Sequence, residues 1–240
     1  MCTLIVGFQQ HPKTPLWVAA NRDEVRSRPA TPPRWWPGEN FLSPRDELAG
    51  GSWLGLTREG MFVGVTNRFP SERFPERESR GQLVVEALRA GNALALHAQL
   101  SSLSPKRFNT FHLLYADREA AFVTWSDGEK IHHAALPRGV HVVTERSLGG
   151  DDHGRTALIE GLLPKLDQVD GVPTAAALRG LLSHGDAGDP VRGVCVDLPQ
   201  FDYGSRSSMV MFLGAKPQIW WADGRPDRTP FIEHPEWLAS

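Results

Sequence analysis

The chain has 240 residues, 40% of them hydrophobic and 22% charged, with a formal net charge of −2. That composition fits a soluble globular protein and gives no electrostatic case for nucleic acid or an anionic membrane surface. No apolar run approaches the roughly 20 residues a transmembrane helix needs, and Cys2 and Cys195 form neither a disulfide framework nor a metal-type pair.

In chain order, Met1-Cys2-Thr3 leads into the apolar run Leu4-Ile5-Val6. A start methionine before a small residue is normally trimmed. Trimming would leave Cys2 with a thiol and a free α-amine, whose ordinary pKa is about 8. Such an amine can take the thiol proton and activate sulfur as a nucleophile; the alternative is a small, half-buried residue at a strand start. The N-terminus carries no basic region or small-residue cleavage site of a signal peptide, and a reducing, cytoplasmic setting is the expectation. Residues 3–8 read as a strand, His11–Pro15 as a turn and Leu16–Ala20 as a second strand. This hairpin places the second strand's end, followed by Asn21-Arg22-Asp23-Glu24, beside Cys2. The tetrad reads either as a solvated strand end or as an arginine and two carboxylates delivered to the thiol. Adjacent strand residues face opposite ways, so only one of Arg22 and Asp23 reaches the thiol unless the strand bulges, whereas Asn21 and Asp23 share a face and could jointly hold the amine and the thiol.

Residues 25–50 carry five prolines and Trp35-Trp36. They read as a long loop whose tryptophans want a surface, packed as a lid or wall over a pocket. Gly50–Thr57, which contains Trp53, pairs with Met61–Asn67 as a second hairpin, and residues 68–79 read as a solvated loop. Helices are expected over Gly81–Ala90 and Ala93–Leu100. Strands follow at Phe108–Tyr115, Ala120–Trp125, Lys130–Ala134 and Val140–Val143, with Asp127-Gly128 as a hairpin turn. Helices Asp151–Leu166 and Thr174–His184, the latter capped by Thr174, precede strands at Gly193–Val196, Ser207–Leu213 and Gln218–Trp221; the tail after Asp223 reads as irregular. Strand blocks alternating with helix pairs give an α+β chain. The expected arrangement is two mainly antiparallel sheets packed face to face with helices on each outer face, in a single domain over 1–240.

Met1-Cys2, Asn21-Arg22-Asp23-Glu24, Gly50-Gly51-Ser52-Trp53-Leu54-Gly55, Thr66-Asn67, Ser79-Arg80-Gly81 and Tyr203-Gly204-Ser205-Arg206-Ser207-Ser208 together resemble the NRDE family, that of the transport and Golgi organisation protein two homologues. That family in turn resembles the N-terminal-nucleophile hydrolases, which implies a four-layer α-β-β-α sandwich. It is most similar to the cysteine branch, the penicillin V acylases and bile-salt hydrolases, which also begin Met-Cys-Thr. The resemblance implies Cys2 as nucleophile and Arg22 with Asp23 as its orienting pair, although that branch spaces the pair two residues apart. It implies Asn67 as an oxyanion donor, a role worth about 2.7–4 kcal/mol of barrier; the alternative is an asparagine capping a turn. The branch's second asparagine belongs near Val142-Val143-Thr144-Glu145, where none stands. That departure weakens the case for acyl chemistry. Arg206 reads as an anchor for a carboxylate or phosphate, or as a surface arginine.

Cys195 reads as a core residue. The histidines, among them His11, His97, His112, His141, His153 and His184, have no metal spacing, and the adjacent His132-His133 face opposite ways in a strand, so no metal site is expected. Two functions compete. One is an amidohydrolase in which Cys2 attacks the amide or thioester of a small or acyl-bearing substrate. The other, implied by the family, is a non-catalytic protein that binds and moves haem, acyl-CoA or lipid in the same pocket. No cofactor is required in the first; haem is a candidate ligand in the second, with a lone histidine on its iron. Asn21, Glu24, Trp35, Trp36, Trp53 and Arg206 are the candidate binding residues in both, and the expected partner is a small molecule.

Overall fold

The computed structural model describes residues 2–69, 72–149 and 154–238. Met1, His153 and the first three residues of the helix expected over Asp151–Leu166 lie outside them. In chain order the strands are β1 (Cys2–His11), β2 (Thr14–Val25), β3 (Ala30–Trp35), β4 (Phe41–Asp46), β5 (Leu54–Thr57) and β6 (Phe62–Asn67). Helices α1 (Arg80–Leu88) and α2 (Ala93–Leu100) follow. Next come β7 (Phe111–Ala116), β8 (Ala121–Ser126), β9 (Ile131–Ala135), β10 (Gly139–Thr144) and α3 (Arg155–Leu162). The short strands β11 (Gln168–Val169) and β12 (Val172–Pro173), α4 (Ala175–Leu182), β13 (Asp197–Leu198), β14 (Tyr203–Leu213), β15 (Gln218–Ala222) and β16 (Ile232–Glu233) complete the order. The chain divides into two compact units, Met1–Ser27 with Arg138–Ser240, and Arg28–Pro137.

The first unit holds an antiparallel sheet in the order β10-β1-β2-β14-β15-β16, with β13 pairing β14. Strand β2 is longer than expected because β14 pairs with it from Leu16 to Val25. The tetrad therefore lies inside the strand and not beyond its end. The side-chain period of two then sorts the sheet. Ile5, Trp17, Ala19, Val210 and Trp220 share one face and pack with Ile159 of α3 and Leu178, Leu181 and Leu182 of α4. Thr174 caps α4, its hydroxyl accepting from Ala177 N at 3.2 Å. The expected strand Gly193–Val196 is irregular instead. It is tied by separate bonds, Cys195 N to His184 O and Ser205 N to Val196 O, both 2.9 Å, and not by a ladder. Cys195 is buried there, as expected of a core residue.

The second unit holds an antiparallel sheet in the order β3-β4-β5-β6-β7-β8-β9. The loop expected over 25–50 is instead largely the β3–β4 hairpin. Its prolines are accommodated because β3 is an edge strand and the register slips between Thr31 and Arg34, at Pro32-Pro33. Leu83, Val84 and Leu88 of α1 and Leu96 and Leu100 of α2 are buried in this unit. Gly51 and Gly81 bring two backbones together: a Cβ on Gly51 would stand 2.3 Å from the Gly81 carbonyl carbon. Two mainly antiparallel sheets, each with a pair of helices in its own unit, make the chain α+β.

Candidate functional site

The site is built on three neighbouring strands. Cys2 of β1 stands opposite Arg22 of β2, which stands opposite Ser207 of β14; Thr3, Asn21 and Ser208 form the next row. Paired residues share a face and adjacent rows alternate. The tetrad is thereby split, with Arg22 and Glu24 on the thiol's face and Asn21 and Asp23 on the face that meets α3 and α4. Arg22 is buried and pairs with Glu24, Nη2 to Oε2 at 3.8 Å.

On the helix face every tetrad side chain is committed. Asn21 Nδ2 donates to Leu182 O and Val194 O, each at 2.9 Å, and its Oδ1 accepts from Ser208 Oγ at 2.6 Å. Asp23 Oδ1 accepts from Ser205 Oγ at 2.6 Å, and its carbonyl accepts from the Tyr203 hydroxyl at 2.8 Å. A β-bulge between Ser205 and Ser207 turns Ser205 to the Asp23 side. Arg155 of α3 is buried against Asp23 Oδ2 at 3.5 Å, Glu145 Oε2 at 3.3 Å and Thr3 Oγ1 at 3.3 Å, and donates to Val191 O. Asn21 thus joins the sheet to the α4 region, and the partner of Asp23 on this face is Arg155.

Cys2 keeps some solvent exposure as a residue. Burial nevertheless pushes its thiol above the ordinary range, and the Asp23 carboxylate adds to the rise. The Asp23 backbone N–H, which donates to sulfur, and the Arg22 guanidinium pull the other way. Burial also pushes the Asp23 carboxyl up, opposed by Arg155 and the Ser205 hydrogen bond and reinforced by Glu145. The Tyr203 phenol is pushed far up, first by burial and then by Asp23.

Sequence reasoning missed Arg155 and the role of Glu145. Arg155 follows Gly154 at the start of a helix and carries no motif. Glu145 had a readable signal: it belongs to the stretch 142–145 where the second asparagine is missing, and lies one residue past the Thr3–Thr144 row. Arg206 lies at the bulge, with Nη1 on Asp223 Oδ1 and Nε donating to Arg26 O, both at 3.2 Å.

The remaining candidates lie in the second unit. Asn67 ends β6 and is exposed. Trp35 is half-buried under the Arg58 guanidinium, 4.0 Å from its ring centre. Trp36 donates through Nε1 to Ser43 O at 3.0 Å, and Trp53 is buried, its carbonyl accepting from Val65 N at 2.9 Å. Among the described residues no three His, Cys, Asp or Glu side chains cluster as a metal site, and no helix is long and apolar enough to cross a membrane.

The structure matches the Caenorhabditis elegans N-acylethanolamine-hydrolyzing acid amidase ortholog with a TM-score of 0.59, over 88% of this chain and 92% of that one, at 12% identity. It matches the conjugated bile acid hydrolase of Clostridium perfringens, solved as a mutant, with a TM-score of 0.53 over 98% and 93%, at 13% identity. The fold is that of the N-terminal-nucleophile hydrolases. Within it, the chain belongs to the Transport and Golgi organisation 2 family, whose family model matches residues 1–224. The mouse Transport and Golgi organization 2 homolog is 29% identical over 126 residues, 49% of this chain and 45% of that protein. The human homolog is 29% identical over 129 residues, 50% and 47%. The match spans about half the length of these curated relatives.

Proposed function

We propose that this protein is an amide- or thioester-directed hydrolase of the N-terminal-nucleophile type, with Cys2 as nucleophile once Met1 is removed. The observation that carries the reading is the row Cys2–Arg22 on one face, with the Asp23 N–H on sulfur. In the proposed reaction the α-amine of Cys2 takes the thiol proton and sulfur adds to the substrate carbonyl. Collapse of the adduct expels an amine or thiol, which takes the proton back. Water then hydrolyses the acyl-cysteine and restores the thiol. Arg22 supplies positive charge beside sulfur, while Glu24 holds Arg22. Asp23, fixed by Ser205 and Arg155, orients the first residue, and Asn21 holds β2 in place. Asn67 is proposed as an oxyanion donor from its motif alone, and Trp35, Trp36, Trp53 and Arg206 as ligand-binding residues. The two solved structures of similar fold are named for an amidase and a hydrolase. A cytoplasmic setting is part of the proposal, supported by two free thiols.

Two features favour the second reading, a carrier of haem, acyl-CoA or lipid: burial pushes the Cys2 thiol above its ordinary range, and no asparagine stands in residues 142–145, where the second oxyanion donor belongs. Intact mass and a thiol-directed lactam probe separate the readings. The hydrolase reading expects loss of Met1 and a covalent adduct on Cys2 that Cys2→Ala abolishes. Retained Met1, or a trimmed protein that forms no adduct while shifting the Soret band of micromolar haem, overturns it in favour of the carrier.

A further inference from the structure

The segment after β15 and the start of β14 border an open pocket of about 350 Å³, lined by Arg26, Ser205, Arg206, Arg225, Arg228 and Thr229 with Gly224. That volume lies at the small end of ligand pockets, roughly 300–1,000 Å³. Four guanidiniums in so small a space repel one another unless anions intervene, and the protein supplies three. Asp197 bridges Arg26 and Arg225. Asp227 takes Arg225 through two bonds of 2.6 Å. Asp223 takes Arg206 Nη1 at 3.2 Å. Arg228 is exposed and its guanidinium has no ion-pair partner among the described residues. Arg26 spends only Nη2, on Asp197 and on Tyr203 O, so its Nε and Nη1 are without partners among the described residues. Arg206 spends Nε and Nη1. The pocket therefore keeps positive charge and planar N–H donors in excess. They come from the strand side through Arg26 and Arg206 and from the loop side through Arg228. Gly224 keeps the loop wall thin, since a Cβ there would stand 2.2 Å from Thr229 Oγ1.

We propose that this pocket binds the diphosphate group of a small soluble molecule. Guanidinium forks match phosphate oxygens bidentately, and donors on two walls suit two linked phosphates better than one carboxylate. The proposal requires no step at Cys2, so it stands or falls separately from the hydrolase reading.

The test is calorimetric titration of the full chain with inorganic pyrophosphate, ADP and orthophosphate at near-physiological salt. We expect saturable one-to-one binding of pyrophosphate or ADP and weaker binding of orthophosphate. Arg228→Gln should lose about tenfold in affinity, as expected for a charge-assisted hydrogen bond, with its thermal melt unchanged because the side chain is exposed. Arg118→Gln, an exposed arginine of the second unit, and Cys2→Ala should keep wild-type affinity. Tighter ADP than pyrophosphate would identify a nucleotide as the source; equal affinities would identify the diphosphate itself. Absence of binding at millimolar concentration overturns the site. So does orthophosphate binding as tightly as pyrophosphate, or equal losses in Arg228→Gln and Arg118→Gln, which mean unspecific charge attraction.

Discussion

Arg155 is the side chain on which the helix face of the site depends, and its replacement by methionine tests that dependence. Its guanidinium stands 3.5 Å from Asp23 Oδ2 and 3.3 Å from Glu145 Oε2, with all three side chains buried. Methionine of similar length fills the space and leaves the two carboxylates without the guanidinium between them. Breaking a buried ion pair from one side costs about 3–5 kcal/mol, and we expect Arg155→Met to lose that much at pH 7–8. The loss should depend on pH, with the following sign. Burial already raises the Asp23 carboxyl in the wild type, and removing the cation raises it further. The folded state then holds a proton that the unfolded state releases, so stability is present below the unfolded pKa and falls as pH rises through the folded one. Each pH unit between those two values carries about 1.4 kcal/mol per proton. Urea unfolding from pH 5 to pH 8 should show the variant's deficit narrowing toward the acid end. Glu145→Gln added to Arg155→Met should recover part of it by removing the second charge. A variant within about 1 kcal/mol of wild type at pH 7, or a deficit flat across that range, would refute the buried-cluster account.

Alkylation of Cys2 by iodoacetamide should accelerate with pH through a midpoint above the ordinary thiol value of about 8.5, and Arg22→Gln should move that midpoint up and slow the reaction at pH 7.5; equal profiles would mean that Arg22 does not act on the thiol. Ser205→Ala removes the hydroxyl that Asp23 Oδ1 accepts and should cost about 1–3 kcal/mol by chemical denaturation, with no loss if the bond is dispensable. Gly51→Ala drives a Cβ into the Gly81 backbone and should destabilise by more than about 2 kcal/mol. A melt at the wild-type temperature would show that the two segments separate easily.

What the sequence showed follows from what is local. The period of apolar residues located β1, α1, α2 and β7–β10 to within a few positions, and the cap Thr174 and the turn Asp127-Gly128 stand where their chemistry predicts. Proline density misled the reading of residues 25–50, because proline is excluded from a ladder and not from an edge or a bulge. The apolar run Gly193–Val196 misled in the opposite direction, since burial alone does not make a strand. Arg155 was invisible, and the partner of Glu145 with it, for another reason. Their meaning lies in one contact between residues far apart in the chain, and neither residue's neighbours foretell it.

The register also changes what the tetrad means. Four consecutive polar residues in a strand cannot serve one point, because alternate side chains leave by opposite faces. Here Arg22 and Glu24 go to the thiol's face, and Asn21 and Asp23 to the helices. A link between the faces is the backbone at Asp23, whose N–H meets sulfur while its carboxyl meets Ser205 and Arg155. A change in the buried ionic cluster therefore reaches Cys2 through the position of that peptide as well as through charge. Replacing Asp23 by Asn keeps the peptide and removes the charge, whereas Arg155→Met keeps the Asp23 side chain and removes what holds it. Comparing the Cys2 alkylation midpoint in these two variants, alone and combined, separates the routes. A midpoint lowered by Asp23→Asn fits the loss of a nearby negative charge, while a midpoint that Arg155→Met raises even in the Asp23→Asn background fits a displaced N–H.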